Sequence, residues 1–165
     1  MHLLSLLNGN RAMKKYIWLF SVAFLTTILL SPTLAADISQ EYDKVIWIDQ
    51  HKQVGTAYEG LKKVKEFPVL TGDAETTTKP GTYLVQVKEE YYYSRKYQTP
   101  MPYSIFFNYA ARAAIHEGEV PPPPKRIRFA THGCIHVKQP YIEWLYDWTE
   151  PGRTLVVIVG RRTQD

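Results

Sequence analysis

Thr154–Val159 reads T-L-V-V-I-V, six residues of which five are aliphatic, entered just after Pro151-Gly152. A β-branched run this short is too brief for a core helix and leaves neither face polar. It is satisfied as a central strand, paired on both sides and covered. Other runs can pair with it. Residues 43–49 (D-K-V-I-W-I-D) suit a strand, 50–53 are polar and turn-like, and 54–58 return as a hairpin partner. Residues 62–70 continue with Val64, Phe67 and Val69 as apolar positions, and the threonine-rich 73–81 close a loop at Lys79-Pro80-Gly81. Strands are expected over 82–87, 101–107 and 113–116, and no element is assigned to the tyrosine-rich insert 89–98. The four prolines 121–124 must be extended and lie outside any sheet interior. One helix is expected over 139–149. There Tyr141, Leu145 and Trp148 recur at helical spacing beside Ile142 and Trp144, Pro140 sits at the first turn and Pro151-Gly152 stops it. With 12 tyrosines and 45% hydrophobic residues, no internal repeat and room for one domain, the chain is expected to be mainly β.

The first 36 residues differ in kind. Lys14-Lys15 precede an apolar run over 16–30, then Ser31-Pro32-Thr33-Leu34-Ala35-Ala36, the pattern of a secretory signal with cleavage after Ala35 or Ala36. The apolar run is shorter than the roughly 20 residues of a bilayer span, so a membrane role is expected only if this leader is retained as an anchor. Met13 begins a more compact signal than Met1. Arg11, Lys14 and Lys15 fall in the leader and no Asp or Glu does. Of 20 basic and 16 acidic residues, 17 and 16 therefore remain beyond it. A near-neutral remainder gives no electrostatic case for a nucleic-acid partner. The domain is expected to work in the periplasm or cell envelope.

The chemistry concentrates in Thr131-His132-Gly133-Cys134-Ile135-His136, with His116 upstream and fourteen residues between it and Thr131. Cys134 is the only cysteine, and an unpaired thiol exported to an oxidising space needs a reason to exist. A histidine within reach can take its proton, and Gly133 permits a tight backbone approach whose amides meet an oxyanion. Alternatives stand beside this. A lone cysteine is often a small buried hydrophobe. If His132, Cys134 and His136 share one face of a strand, His116 would complete a tetrahedral zinc shell, although ligands two residues apart are cramped. His51 reads as a solvated turn residue. Arg126 and Arg128 either hold an anionic group or mark a charged strand edge. Tyr91, Tyr92 and Tyr93 either stack on sugars or cover the core.

The motif resembles the signature of the L,D-transpeptidase (YkuD-type) catalytic domain: a histidine, a gap of about 14 to 17 residues, then Ser/Thr-His-Gly-Cys. F-P-V-L-T-G (67–72), T-K-P-G-T-Y (78–83) and Met101-Pro102-Tyr103 resemble further family segments, so the likeness covers about residues 43–160. It implies an L,D-transpeptidase-type β-sandwich or barrel with one or two helices, the catalytic domain occupying 37–165. It also implies acyl transfer on peptidoglycan stem peptides, without a cofactor or metal. Cys134 would attack the carbonyl preceding a terminal D-Ala, expel D-Ala as a thioester forms, and pass the acyl group to an amine in a 3→3 cross-link. His116 would be the base, with its ring oriented by the Glu117 carbonyl. Gly133 and Cys134 would supply oxyanion amides, His132 would support the site from behind, and Thr131 would hold the loop. Met101, Pro102 and Tyr103 would flank the opening with Thr131 and His136, and carbapenems would acylate Cys134.

Two positions depart from the family pattern. His136 stands where Asn or Arg is common, and Glu117-Gly118 follow His116 where Gly-Thr or Ser-Thr is common. Resolution of the thioester by water, as an L,D-carboxypeptidase or hydrolase, is the alternative activity. An inactive wall-binding or zinc-stabilised domain is the non-enzymatic one.

Overall fold

The computed structural model describes residues 42–123, 125 and 129–162. The leader, Arg126 and Arg128 lie outside the described residues. Nine strands and one helix follow in order: β1 (Lys44–Asp49), β2 (Val54–Glu59), β3 (Lys62–Leu70), β4 (Gly81–Leu84), β5 (Val87–Ser94), β6 (Thr99–Asn108), β7 (Ala113–Glu117), β8 (Ile135–Val137), α1 (Tyr141–Trp148) and β9 (Thr154–Val159). The strands form one sheet in the order β4-β9-β1-β2-β3-β8-β7-β6-β5. β1–β9 and β7–β8 are parallel and the other ladders antiparallel.

The two ends of that order, β4 and β5, are separated by only Val85 and Gln86 in the chain. The sheet must therefore curl until its ends meet. The amide of Val85 donates to the Thr154 carbonyl on the β9 side (2.9 Å), and that of Gln86 donates to Phe106 on the β6 side (2.8 Å). Tyr83 and Phe107 pack across the junction, ring centroids 5.2 Å apart. This is the expected mainly-β architecture, a sheet closed on itself around one core. The expected strand over 82–87 is divided there, because two residues must turn the chain from one end of the sheet to the other.

Ile46, Ile48, Phe67, Ile105, Ile115, Ile135 and Ile158 fill the interior with Ile142 and Leu145 of α1. Gly55 of β2 lies against the Phe67 ring, where a Cβ would come within 2.3 Å of it. α1 begins at Tyr141 with Pro140 as its N-cap residue and ends at Thr149, whose backbone turns extended. β9 is an inner strand, between β4 and β1, but one place from the end of the order rather than central. Its buried residues alternate, so only one face is fully covered. The insert 89–98 is chiefly β5, paired with β6 from Val87 to Ser94. Its tyrosines supply β-propensity that the surrounding charges mask in sequence.

Candidate active site

β7 and β8 bring the His116 and Cys134 segments side by side. In their parallel ladder Ile115 faces Ile135 and His116 faces His136. The two isoleucines enter the main core. The period of two then sends the residues between them to the other face. There Ala114 and Cys134 pack with Met101 and Phe106, and the rings of His116 and His136 meet edge to face, centroids 4.7 Å apart. Cys134, just before β8, is thus a neighbour of His116 on one face of adjacent strands. At rest the thiol points to the Arg112 carbonyl (Sγ to oxygen, 3.7 Å). His116 Nδ1 lies 2.7 Å from the Glu117 carbonyl. A carbonyl only accepts, so Nδ1 carries the proton and Nε2 is left as the basic nitrogen.

The loop before β8 is tied by threonines. Thr131, buried, donates its hydroxyl to the Cys134 carbonyl and accepts the Gly133 amide at 3.2 Å. Thr76 donates to the Thr131 carbonyl. Thr78 receives the Gly72 amide (2.9 Å) and donates to the Cys134 carbonyl (3.5 Å). Gly133 has φ +104, in the region open chiefly to glycine, so the turn presenting Cys134 depends on it. At rest the Gly133 amide of the expected oxyanion pair is engaged by the Thr131 hydroxyl.

Burial sets the protonation states. It pushes the Cys134 thiol up, against a smaller opposing pull from the Ala114 amide. Burial, then the neighbouring His136, holds His116 down at about 4, despite its bond to Glu117. His136 is lowered by burial as well, and its buried Nδ1 has no hydrogen-bond partner among the described residues. Near neutral pH the resting pair is therefore a thiol and a neutral imidazole rather than an ion pair.

Cys134 opens into a cleft of about 870 Å³ whose walls include Met101, Tyr92, Tyr97, Arg112 and His132. Of the expected flanking residues only Met101 reaches it. Tyr103 has φ 53, which breaks the strand's alternation. Its ring packs instead on Tyr146 of α1, centroids 5.6 Å apart, and Pro102 pairs with Tyr91 in the ladder. His132, expected behind the site, is exposed on the cleft wall and stacked on Tyr97 at 4.8 Å, and its charge acts on His136. The zinc arrangement fails for the same reason. Only Ile135–Val137 is strand, and among the described residues no three of His, Cys, Asp and Glu are grouped to hold a metal ion. His51 is an exposed turn residue. Tyr92 covers Phe106 edge-on at 5.1 Å, whereas Tyr91 stands exposed. Sequence reasoning missed Arg112, Tyr97 and Thr76. Only the triple threonine, an unusual density of hydroxyls in a loop, offered a signal.

Residues 43–158 match the family model of the L,D-transpeptidase catalytic domain, YkuD. The chain belongs to that family. Among solved structures, an L,D-transpeptidase (Yku) from Stackebrandtia nassauensis is similar at 25% identity and TM-score 0.67, over 76% of this chain and 59% of that one. A mutant of the Enterococcus faecium L,D-transpeptidase gives 22% identity and TM-score 0.61 over 71% and 50%. The L,D-transpeptidase LdtMt1, in complex with imipenem, gives 16% and 0.61 over 71% and 59%. The last two support the fold alone, and this chain spans between half and three-fifths of each of the three. No curated protein matches it in sequence.

Proposed function

We propose that this chain is an exported cysteine acyltransferase that cross-links peptidoglycan stem peptides. The observation that carries this reading is the common face of β7 and β8. There Cys134 opens to a cleft beside His116, whose Nδ1 is fixed by Glu117. A turn of the Cys134 side chain away from the Arg112 carbonyl would bring Sγ to His116 Nε2; such contacts commonly tighten only with substrate bound. Nε2 takes the thiol proton as Sγ bonds to the carbonyl carbon preceding D-Ala. The oxyanion is met by the Cys134 amide. On collapse the C–N bond breaks, the imidazolium returns its proton to the departing D-Ala nitrogen, and a thioester remains. An amine of a second stem then attacks the thioester. It loses its proton to His116, and the thiol is regenerated as the 3→3 link forms. Thr131 holds the loop through both steps.

The test is intact-protein mass after incubation with a tetrapeptide stem or with imipenem, the compound bound in the LdtMt1 structure. A covalent adduct on Cys134, absent in Cys134→Ala, is expected, with cross-linked dimers when a second stem is supplied. Trimmed stems without dimers would make water the acceptor and the chain a carboxypeptidase. No adduct with either compound would overturn the reading.

A further inference from the structure

Among the described residues lining the cleft, the cations Lys79, Arg95, Lys96 and Arg112 face a single carboxylate, Glu89. Glu89 already receives the Tyr109 hydroxyl at 3.3 Å. Arg112 is the cation tied most closely to the nucleophile, since its own carbonyl is the group against which Cys134 Sγ rests. It closes the β6–β7 turn, its amide donating to the Tyr109 carbonyl at 3.1 Å. Its φ of 55 is one that residues with a side chain adopt only at a cost, and such conformations gather at functional sites.

The side chain is held as firmly as the backbone. The guanidinium lies over the Tyr109 ring, 4.0 Å from its centroid. That ring is itself fixed edge-on against Phe106 at 5.1 Å. The guanidinium also hydrogen-bonds the Tyr109 side chain and feels the Glu89 carboxylate more weakly; with five N–H donors in its fork, it retains others for a planar acceptor in the cleft. Among the described residues, no ion pair uses Arg112.

We propose that Arg112 is a specificity-determining residue that holds a carboxylate of the acyl donor beside Cys134. The cleft then takes donors with a free carboxylate near the attacked carbonyl in preference to their amides. This rests on the acyl-transfer reading above and adds the charge of the donor to it. The carboxylate has two sources in a stem peptide, the terminal residue that leaves and the side chain of the residue that stays.

The experiment compares acylation of Cys134 by three synthetic tetrapeptides: the free acid, its terminal amide, and its side-chain amide. The full chain is compared with Arg112→Gln and Arg112→Lys. In the unaltered chain the free acid is expected to exceed one of the amides by about tenfold or more in kcat/KM, the range of a charge-assisted bond. Whichever amidation abolishes the preference names the carboxylate. In Arg112→Gln the acid-to-amide ratio falls towards one, and in Arg112→Lys it partly returns. Each ratio is taken within one protein, so loss of folded material does not alter it. An unaltered chain that acylates without discrimination, or a ratio unchanged in Arg112→Gln, would overturn the proposal. Absence of acylation by all three peptides and by imipenem removes the acyl-transfer reading and this proposal with it.

Discussion

At position 118 any side chain would collide with His136: an added Cβ would lie 2.5 Å from its Cγ and 2.6 Å from its Nδ1. The ring is pinned on its other side by His116. The two departures from the family pattern, Gly118 and His136, are therefore one unit, in which a flat ring occupies the space a side chain would take. Gly118→Ala is expected to cost about 1–3 kcal/mol by overpacking and, on the proposed mechanism, to slow acylation of Cys134, because the displaced ring presses on His116. In Gly118→Ala/His136→Ala the space reopens. Urea denaturation of the four-protein cycle should then show a favourable coupling of about 1 kcal/mol or more. Additive costs would separate the two residues.

The helix and the strands differ in how openly the chain announces them. In α1 the buried Ile142 and Leu145 are flanked by partly buried Tyr141, Trp144 and Trp148, all touching the core. Trp144 and Trp148 stack on each other at 5.4 Å, one turn apart. Leu145→Ala should destabilise the chain by about 2–5 kcal/mol, as a large-to-small change in a packed interior does. The rate of Cys134 labelling in the folded fraction should be unaltered, since α1 lies across the sheet from the cleft; a lower urea midpoint with normal labelling is the expected pair. The helix was legible because its period and its proline boundaries agree. β5 was not, because Glu89, Glu90 and three tyrosines show no clean alternation and its pairing partner is β6, a non-local fact. That Cys134 and His116 belong together was readable from the local motif, whereas the tie of Thr131 to the loop was expected only from the family resemblance. The places of His132, Pro102 and Tyr103 were not legible. Each depends on a ring stack or a single backbone angle that no local pattern encodes.

For the molecule as a whole, the neutrality of the site sets the pH range over which the fold is most stable. A histidine held at about 4 in the folded chain and near 6.5 in the unfolded one leaves the unfolded state binding more protons between those values. Stability contributed by a neutral His116 is thus fully present above about pH 6.5 and is lost as the pH falls to 4. The loss is about 3 kcal/mol at about 1.4 kcal/mol per unit, and His136 acts in the same direction. Three carboxylates are lowered: Asp49 and Asp73 act below that window, as the pH falls under their ordinary 3.8, and the exposed Glu150, held down first by its hydrogen bond to Lys44, starts to act at the foot of it, under 4.5. At the other end the sign reverses. Burial raises the Cys134 thiol above its ordinary 9.0, so beyond that pH the unfolded chain sheds a proton that the folded one keeps, and stability falls as the pH rises. Unfolding free energies from urea titrations should therefore be highest between about pH 6.5 and 9. His116→Gln should flatten the acid limb and Cys134→Ala the alkaline one. Parallel curves for the unaltered chain and His116→Gln between pH 4 and 6.5 would show that the imidazole is not held neutral by the fold, and the thiol would then face an imidazolium over that acid range.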